Sequence, residues 1–340
     1  MNPRFRVVIT DALPDSEYEA PVLAPEARVD VLQARDESEV LERAADADGL
    51  IACHEIQITE ASLSRLSRCR VITRCGVGFD NIDLAAAGRL GIVVCNVPDY
   101  GTEEVADHAL MLLLAVTRRL VPAHEQIRAG NWDVRQAFGT PRLRGKTLGI
   151  IGCGRIGSAL ALRAKALGLR VVFYDPYQPA GYEKALGVER CYRLEELLPR
   201  AELLSLHCPL TAETRHILNA RTLGMLPKGA YVVNTARGPC LDQTALADAL
   251  DSGQVSYAAL DVVEREPLDD DRIRRHPRLI LTPHTAFYSV EGFAEMRTKA
   301  ALEVRRALMG EPVLSPVNLH CLANPRCAVR QGGVPGNGGT

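Results

Sequence analysis

The chain has no excess of either charge: among its 340 residues, 40 Lys and Arg face 42 Asp and Glu, for a formal charge of −2. A nucleic-acid or membrane-surface partner would call for a basic face, so neither is expected. Long apolar runs are missing as well. The longest, residues 109–116, falls far short of the roughly 20 needed to cross a bilayer. The opening Met1-Asn-Pro-Arg-Phe-Arg leads straight into strand-like Val7-Val8-Ile9 without a signal-peptide pattern, so a cytoplasmic setting is expected. Cysteine is plentiful, at 10 residues, but no CxxC pair and no Cys/His ligand spacing occurs, so no metal site is expected. Cys95, Cys153 and Cys208 stand beside strand ends and read as reduced core residues. Cys321 and Cys327 fall in an expected tail and read as exposed thiols. Internal repeats and nuclear-targeting runs are absent too.

What is present is a βα alternation. With 47% of residues apolar, the chain can bury a large core, and its length suits two domains. Strand-like runs at 6–10, 29–32, 49–54, 70–74 and 91–96 alternate with helical patterns such as 37–45 and 84–90, predicting a parallel sheet. A long helix over 102–120 follows, acidic at its start (Glu103, Glu104) and basic at its end (Arg118, Arg119). A second set of strands is predicted at 202–207, 230–234, 257–261 and 279–282, and a final helix at 290–309. After Pro316-Val-Asn318 the composition turns to Gly and Pro, and 331–340 reads as disordered. The expected fold is α/β with two doubly wound parallel-sheet lobes. Residues 1–101 and 287–318 form one lobe, 102–286 are inserted as the other, and 319–340 form a flexible tail.

The most informative stretch is Lys146-Thr-Leu-Gly-Ile-Ile-Gly152-Cys-Gly154-Arg-Ile-Gly157. A strand runs into a glycine turn and a helix, and a second strand ends at Asp175. Gly152 suits the tight turn, Gly154 the approach of a pyrophosphate, and Gly157 the packing of helix on strand. The helix amino terminus offers N–H groups and a positive dipole end. Asp175 would accept from ribose hydroxyls and repel a 2′-phosphate. Pro176 and Tyr177 follow it rather than arginine, which favours NAD over NADP.

Three polar residues recur after later strands: Arg237 in Asn234-Thr-Ala-Arg-Gly238, Glu266 in Asp261-Val-Val-Glu-Arg-Glu-Pro267, and His284 in Thr282-Pro-His-Thr285. Reducing a ketone by hydride needs a proton donor at the developing alkoxide, which a His can be near neutral pH. A carboxylate beside the imidazole would fix the ring. The planar fork of an Arg matches a substrate carboxylate.

These motifs resemble the D-isomer-specific 2-hydroxyacid dehydrogenase family, in particular the branch holding the C-terminal binding proteins and related bacterial dehydrogenases. Carrying the likeness besides the fingerprint are Arg74-Cys-Gly-Val-Gly-Phe-Asp-Asn-Ile-Asp83, Val94-Cys-Asn-Val-Pro98, Glu103-Glu-Val-Ala-Asp107 and His207-Cys-Pro-Leu-Thr211. The resemblance implies a Rossmann NAD-binding domain inserted into a flavodoxin-like substrate domain. It implies His284 as acid/base, Glu266 as its carboxylate and Arg237 as the group that holds the 2-oxoacid and polarises its carbonyl. Backbone N–H groups of Gly76, Val77 and Gly78 would meet the substrate carboxylate. His54 and Arg74 would turn toward the substrate, and Phe287 stands where the branch has a tryptophan. Thr102, Arg155, Ile156 and Asp175 would surround the pyrophosphate and ribose. His207, Cys208, Pro209 and Thr214 belong to the same cofactor surface. Thr235 and Ala236 would line the nicotinamide end, and Asp261 would bond its carboxamide.

The function expected is reversible NADH-dependent reduction of a 2-oxoacid to a D-2-hydroxyacid. Glu266 argues against a formate-type reaction, whose branch carries Gln there. A 3-phosphoglycerate or a hydroxypyruvate/glyoxylate dehydrogenase is the narrower alternative, although no regulatory domain is seen after Asn318. An NADH-sensing scaffold with little turnover is the alternative from another class. An apolar arm near 121–140, with His124, Ile127 and Trp132, is expected to pack across a twofold axis of a homodimer.

Overall fold

The computed structural model of the chain describes residues 3–329, which divide into two compact units, 3–101 with 289–329 and 102–288. In the first unit, β1 (Phe5–Ile9), β2 (Ala27–Val31), β3 (Gly49–Ala52), β4 (Val71–Arg74) and β5 (Val93–Cys95) form a parallel sheet in the order β2-β1-β3-β4-β5. The strands β1, β3, β4 and β5 are buried almost throughout because helices cover both faces of such a sheet. Side-chain caps set the helix starts: Asp36, Thr59, Asp83 and Ser289 each accept a backbone N–H from the turn they open. The last helix, Val290–Met309, carries a fully buried Arg297 whose guanidinium bonds both oxygens of Glu19 at 2.7 Å and Oδ1 of Asp15 at 2.7 Å.

The second unit holds β6 (Thr147–Ile151), β7 (Arg170–Tyr174), β8 (Glu189–Cys191), β9 (Leu203–Leu206), β10 (Ala230–Asn234), β11 (Val255–Leu260) and β12 (Leu279–Leu281). All pair in parallel, in the order β12-β11-β10-β9-β6-β7-β8, so the strand order reverses between β6 and β9. That reversal is where an open α/β sheet leaves a crevice at its carboxyl edge. Successive residues feed opposite cores: Ile151, Val232 and Leu260 on one face, Ile150, Val233 and Ala259 on the other. The helix Thr102–Arg118 closes the second face with Ala106, Ala109, Leu112, Leu113 and Val116.

The structure corrects three expectations. The long helix stops at Arg118, because Arg119 is left-handed (φ +51), and a separate helix, Leu120–Arg128, follows. Residues 319–329 are not a loose tail. Ala323 N–H donates to Gly88 O and Arg326 N–H to Gly91 O, and the Arg326 guanidinium reaches the carbonyls of Leu66 and Cys69. Cys321 and Cys327 are accordingly half-buried; the Cys321 thiol donates to Leu84 O, and burial pushes the Cys327 thiol up to about 11. The disorder expected at 331–340 lies outside the described residues. Among the described residues no helix is long and apolar enough to cross a membrane.

Candidate active site

The glycine turn after β6 is built by close approach. A Cβ on Gly152 (φ +86) would sit 2.6 Å from the Cys208 nitrogen, and one on Gly157 would sit 2.2 Å from the Gly152 oxygen. Only glycine fits either place. A Cβ on Gly154 would meet nothing within 4 Å, so the turn is open on the side where a phosphate would come. Gly154 is also the N-cap of the helix Arg155–Ala166 and supplies no side-chain cap, so its first amides are available to an anion. Asp175 is pinned by this turn: its carboxylate accepts from Cys153 N–H at 2.8 Å and Tyr177 N–H at 3.0 Å.

Further along the same edge, two buried polar atoms have no partner within the chain, His207 Nδ1 and Thr235 Oγ1. Buried polar atoms are nearly always paired, so orphans beside a glycine turn are what a bound dinucleotide would satisfy. These residues fit NAD. His207 as a whole is half-buried, but its Nδ1 has no exposed surface, and burial pushes the imidazole down to about 3. It is a neutral ring that bonds Ser205 Oγ at 2.8 Å. Cys208 is buried, and its hydrogen bond with Cys240 together with that burial raises its thiol well above the ordinary range. Thr214 Oγ1 bonds Pro209 O at 2.6 Å and so shapes the 209–214 turn. Thr102 opens its helix, Arg155 and Ile156 begin the one after Gly154, and Ala236 is buried beyond β10.

At the ends of β10, β11 and β12, three turns interlock. Asn234, fully buried, donates from Nδ2 to Arg237 O at 2.9 Å and accepts Ala236 N–H at 3.0 Å, which folds the turn carrying Arg237. Arg237 itself donates to Ala236 O at 2.9 Å. The next turn approaches so closely that a Cβ on Gly238 would sit 1.9 Å from Val263 O. Glu266 accepts Val263 N–H with one oxygen at 3.2 Å, and its other oxygen lies 2.7 Å from His284 Nδ1. The imidazole thus meets the carboxylate that the sequence pairs with it. His284 is half-buried and left-handed (φ +53), with its N–H on Asp261 O at 2.8 Å.

Asp261 anchors the next turn. Its carboxylate is buried and engaged by the chain's own groups: Oδ1 accepts from Thr282 Oγ1 at 2.6 Å and Thr285 N–H at 3.0 Å, and Oδ2 accepts Ala286 N–H at 2.9 Å. An acceptor held in this way organises the His284 turn. Phe287 belongs to this unit and not to the first, because its ring packs edge-on against His284, centroids 6.3 Å apart.

The remaining candidates lie in the first unit. His54 is exposed, but Asp11 grips the backbone on either side of it, accepting Cys53 N–H at 2.9 Å and Glu55 N–H at 2.8 Å. Asn81 Nδ2 holds the carbonyls of Cys53 and Ile56. Arg74 is 7% exposed, and its guanidinium lies where a Cβ of Gly76 would be, bonding Cys75 O at 2.9 Å. The turn through Val77 and Gly78 is tied down by Asn96 Nδ2 on Val77 O at 2.7 Å.

The sequence reading missed Asp11, Asn234 and Arg190. The last bonds the carbonyls of Asp175 and Gln178 at 2.9 Å each and so holds the ribose-side loop from behind. Asn at the end of an apolar strand was the one available signal.

Against known proteins, the profile described as "D-isomer specific 2-hydroxyacid dehydrogenase, NAD binding domain" matches residues 110–286. The chain is 37% identical over 314 residues to the D-3-phosphoglycerate dehydrogenase of Methanocaldococcus jannaschii, covering 92% of this chain and 59% of the relative. It is 38% identical over 319 residues to C-terminal-binding protein 1 of Caenorhabditis elegans, covering 91% and 44%. The chain therefore spans about half the length of the curated relatives it matches. A solved glyoxylate reductase from Paecilomyes thermophila superposes with a TM-score of 0.85 at 28% identity, covering 93% of this chain and 98% of that one. With its parallel sheets, its glycine turn and that match, the chain belongs to the D-isomer specific 2-hydroxyacid dehydrogenase family and carries that family's NAD-binding domain.

Proposed function

We propose that the chain is an NAD-dependent oxidoreductase that interconverts a 2-oxoacid and a D-2-hydroxyacid. The observation that carries this is the 2.7 Å contact between His284 Nδ1 and Glu266 at the edge of a dinucleotide-binding sheet. A carboxylate only accepts, so Nδ1 bears a proton in either charge state of the ring. Nε2 is then the atom that exchanges one with substrate. In the reducing direction, bound NADH would supply a hydride to the carbonyl carbon. Protonated His284 gives its Nε2 proton to the oxygen and becomes a neutral ring that still donates to Glu266. Arg237 stabilises the charge that builds on that oxygen and orients the substrate carboxylate. Arg74, His54 and the amides of residues 76–78 are the substrate-side contacts in this reading. Phosphoglycerate-type and glyoxylate-type substrates, named for relatives of this chain, are the narrower candidates.

The test is a panel of 2-oxoacids with NADH, followed at the nicotinamide absorbance band. His284→Ala should lower kcat by about 10²- to 10⁴-fold while NADH affinity stays within a few-fold. Similarity to a C-terminal-binding protein supports a second reading, an NADH-sensing scaffold. Tight NADH binding with no turnover on any oxoacid would favour it. We further propose a cytoplasmic homodimer joined through the arm after Arg119. Leu120, Trp132, Val134 and Phe138 are all more than 60% exposed there, a patch that isolated monomers rarely carry. Sedimentation showing a monomer at every concentration would dispose of the dimer.

A further inference from the structure

A side chain with a Cβ reaches φ +53 only against steric resistance from its own Cβ, and it stays there only where its surroundings impose it. At His284 the imposing group is Asp261, whose two oxygens hold the amides of Thr285 and Ala286 while its carbonyl holds the amide of His284. Asp261 is oriented in turn by Thr282 Oγ1 at 2.6 Å. One more residue completes the chain of contacts. His108, on the helix Thr102–Arg118, places Nε2 3.1 Å from Thr282 Oγ1 and 3.5 Å from Asp261 Oδ1. Donor and acceptor roles follow by elimination. The Asp261 carboxylate can only accept, so the single hydroxyl proton of Thr282 goes to it. The Thr282 oxygen then faces His108 as an acceptor, and Nε2 of His108 must carry a proton. The ring is mostly buried, with its side chain 16% exposed, so water does not readily replace that donor.

We propose that His108 is a positioning residue for His284. Its Nε2–H fixes the Thr282 hydroxyl, the hydroxyl fixes the Asp261 carboxylate, and the carboxylate keeps residues 284–286 in the turn that presents the imidazole to Glu266. The proposal rests on the reading of His284 as the acid/base. Loss of the donor lets Thr282 rotate and Asp261 release the 285 and 286 amides, so the imidazole drifts off Glu266 without any change at the glycine turn.

Three variants test it, with His284→Ala as reference, each assayed for kcat, KM for NADH and melting temperature. His108→Leu should lose on the order of tenfold to a hundredfold in kcat, the scale of a displacement of about 1 Å in a reacting group, with KM for NADH within about twofold. His108→Gln puts an amide N–H close to the position of Nε2 and should recover most of the loss. His108→Asn puts its N–H near the position of Nδ1 and should not. Equal kcat for the Gln and Asn variants overturns the proposal, and that pair decides if His108→Leu does not fold. Wild-type kcat in His108→Leu beside an inactive His284→Ala overturns the proposal alone. Full activity in His284→Ala removes the underlying reading of His284.

Discussion

Two turns at the carboxyl edge of one sheet reach positive φ by opposite means. After β6, Gly152 adopts φ +86 and Gly157 lets the backbone close up. That turn is made by removing side chains, so that the backbone of His207 and Cys208 can pass against Gly152. After β12, His284 adopts φ +53 with a full side chain, held by Asp261 and the residues behind it. The first turn is cheap in backbone energy and featureless, as suits a phosphate that needs only amides. The second is strained and fully hydrogen-bonded, as suits an imidazole that must point one way.

The largest test of that contrast is Gly157→Val. With a Cβ 2.2 Å from Gly152 O, the helix must part from the strand, and stability should fall by roughly 3 kcal/mol or more in urea unfolding. Measurable NADH binding should be lost with it. Wild-type stability would mean that the turn tolerates bulk and that the comparison is misdrawn.

His207, whose backbone abuts Gly152, sharpens it through pH. Burial depresses its imidazole from 6.5 to about 3. The unfolded chain therefore binds a proton that the folded chain refuses. Stability from this group is whole above about pH 6.5 and is lost as pH falls from there toward 3, at up to about 1.4 kcal/mol per pH unit. His207→Gln should flatten that part of the slope between pH 7 and 5, where most carboxylates are silent. An unchanged slope would show that the ring accepts a proton in place.

Asp175→Ala should raise the NADPH-to-NADH ratio of kcat/KM by about tenfold, since a unit charge beside a 2′-phosphate is removed. A ratio that does not move would take the ribose contact away from Asp175. The smallest effect separates strain from chemistry at the second turn. His284→Gly should be more stable than His284→Ala by about 1 kcal/mol, because glycine alone is at ease at φ +53. Both should be inactive. Equal melting temperatures would mean that the turn stores no strain.

The same contrast accounts for what the sequence discloses. The fingerprint glycines are legible as a spaced motif between two strand-like runs, and the βα alternation predicts both parallel sheets except the short edge strand β8 (Glu189–Cys191), which it misses. His284 and Glu266 are legible because each follows a strand and because the motifs resemble a known family. His108 is not legible: its partners Asp261 and Thr282 lie more than a hundred positions away, and a lone His in an apolar helix carries no local mark. Asp11 is hidden for the same reason, since it acts on amides 42 and 44 positions onward. The segment after Asn318 misled the reading because composition reports side-chain hydrophobicity. That segment docks through backbone amides, one guanidinium and the Cys321 thiol instead.

That docking sets a practical limit on how the protein can be trimmed. A boundary placed at Asn318, where glycine and proline begin to accumulate, would strip the carbonyl ends of Leu66 and Cys69 of their shared cation and uncover the flank of the helix Leu84–Arg89. Shortened forms should therefore stop no earlier than Val329, and a fusion partner attached nearer than that would compete with the first sheet for its own covering strap.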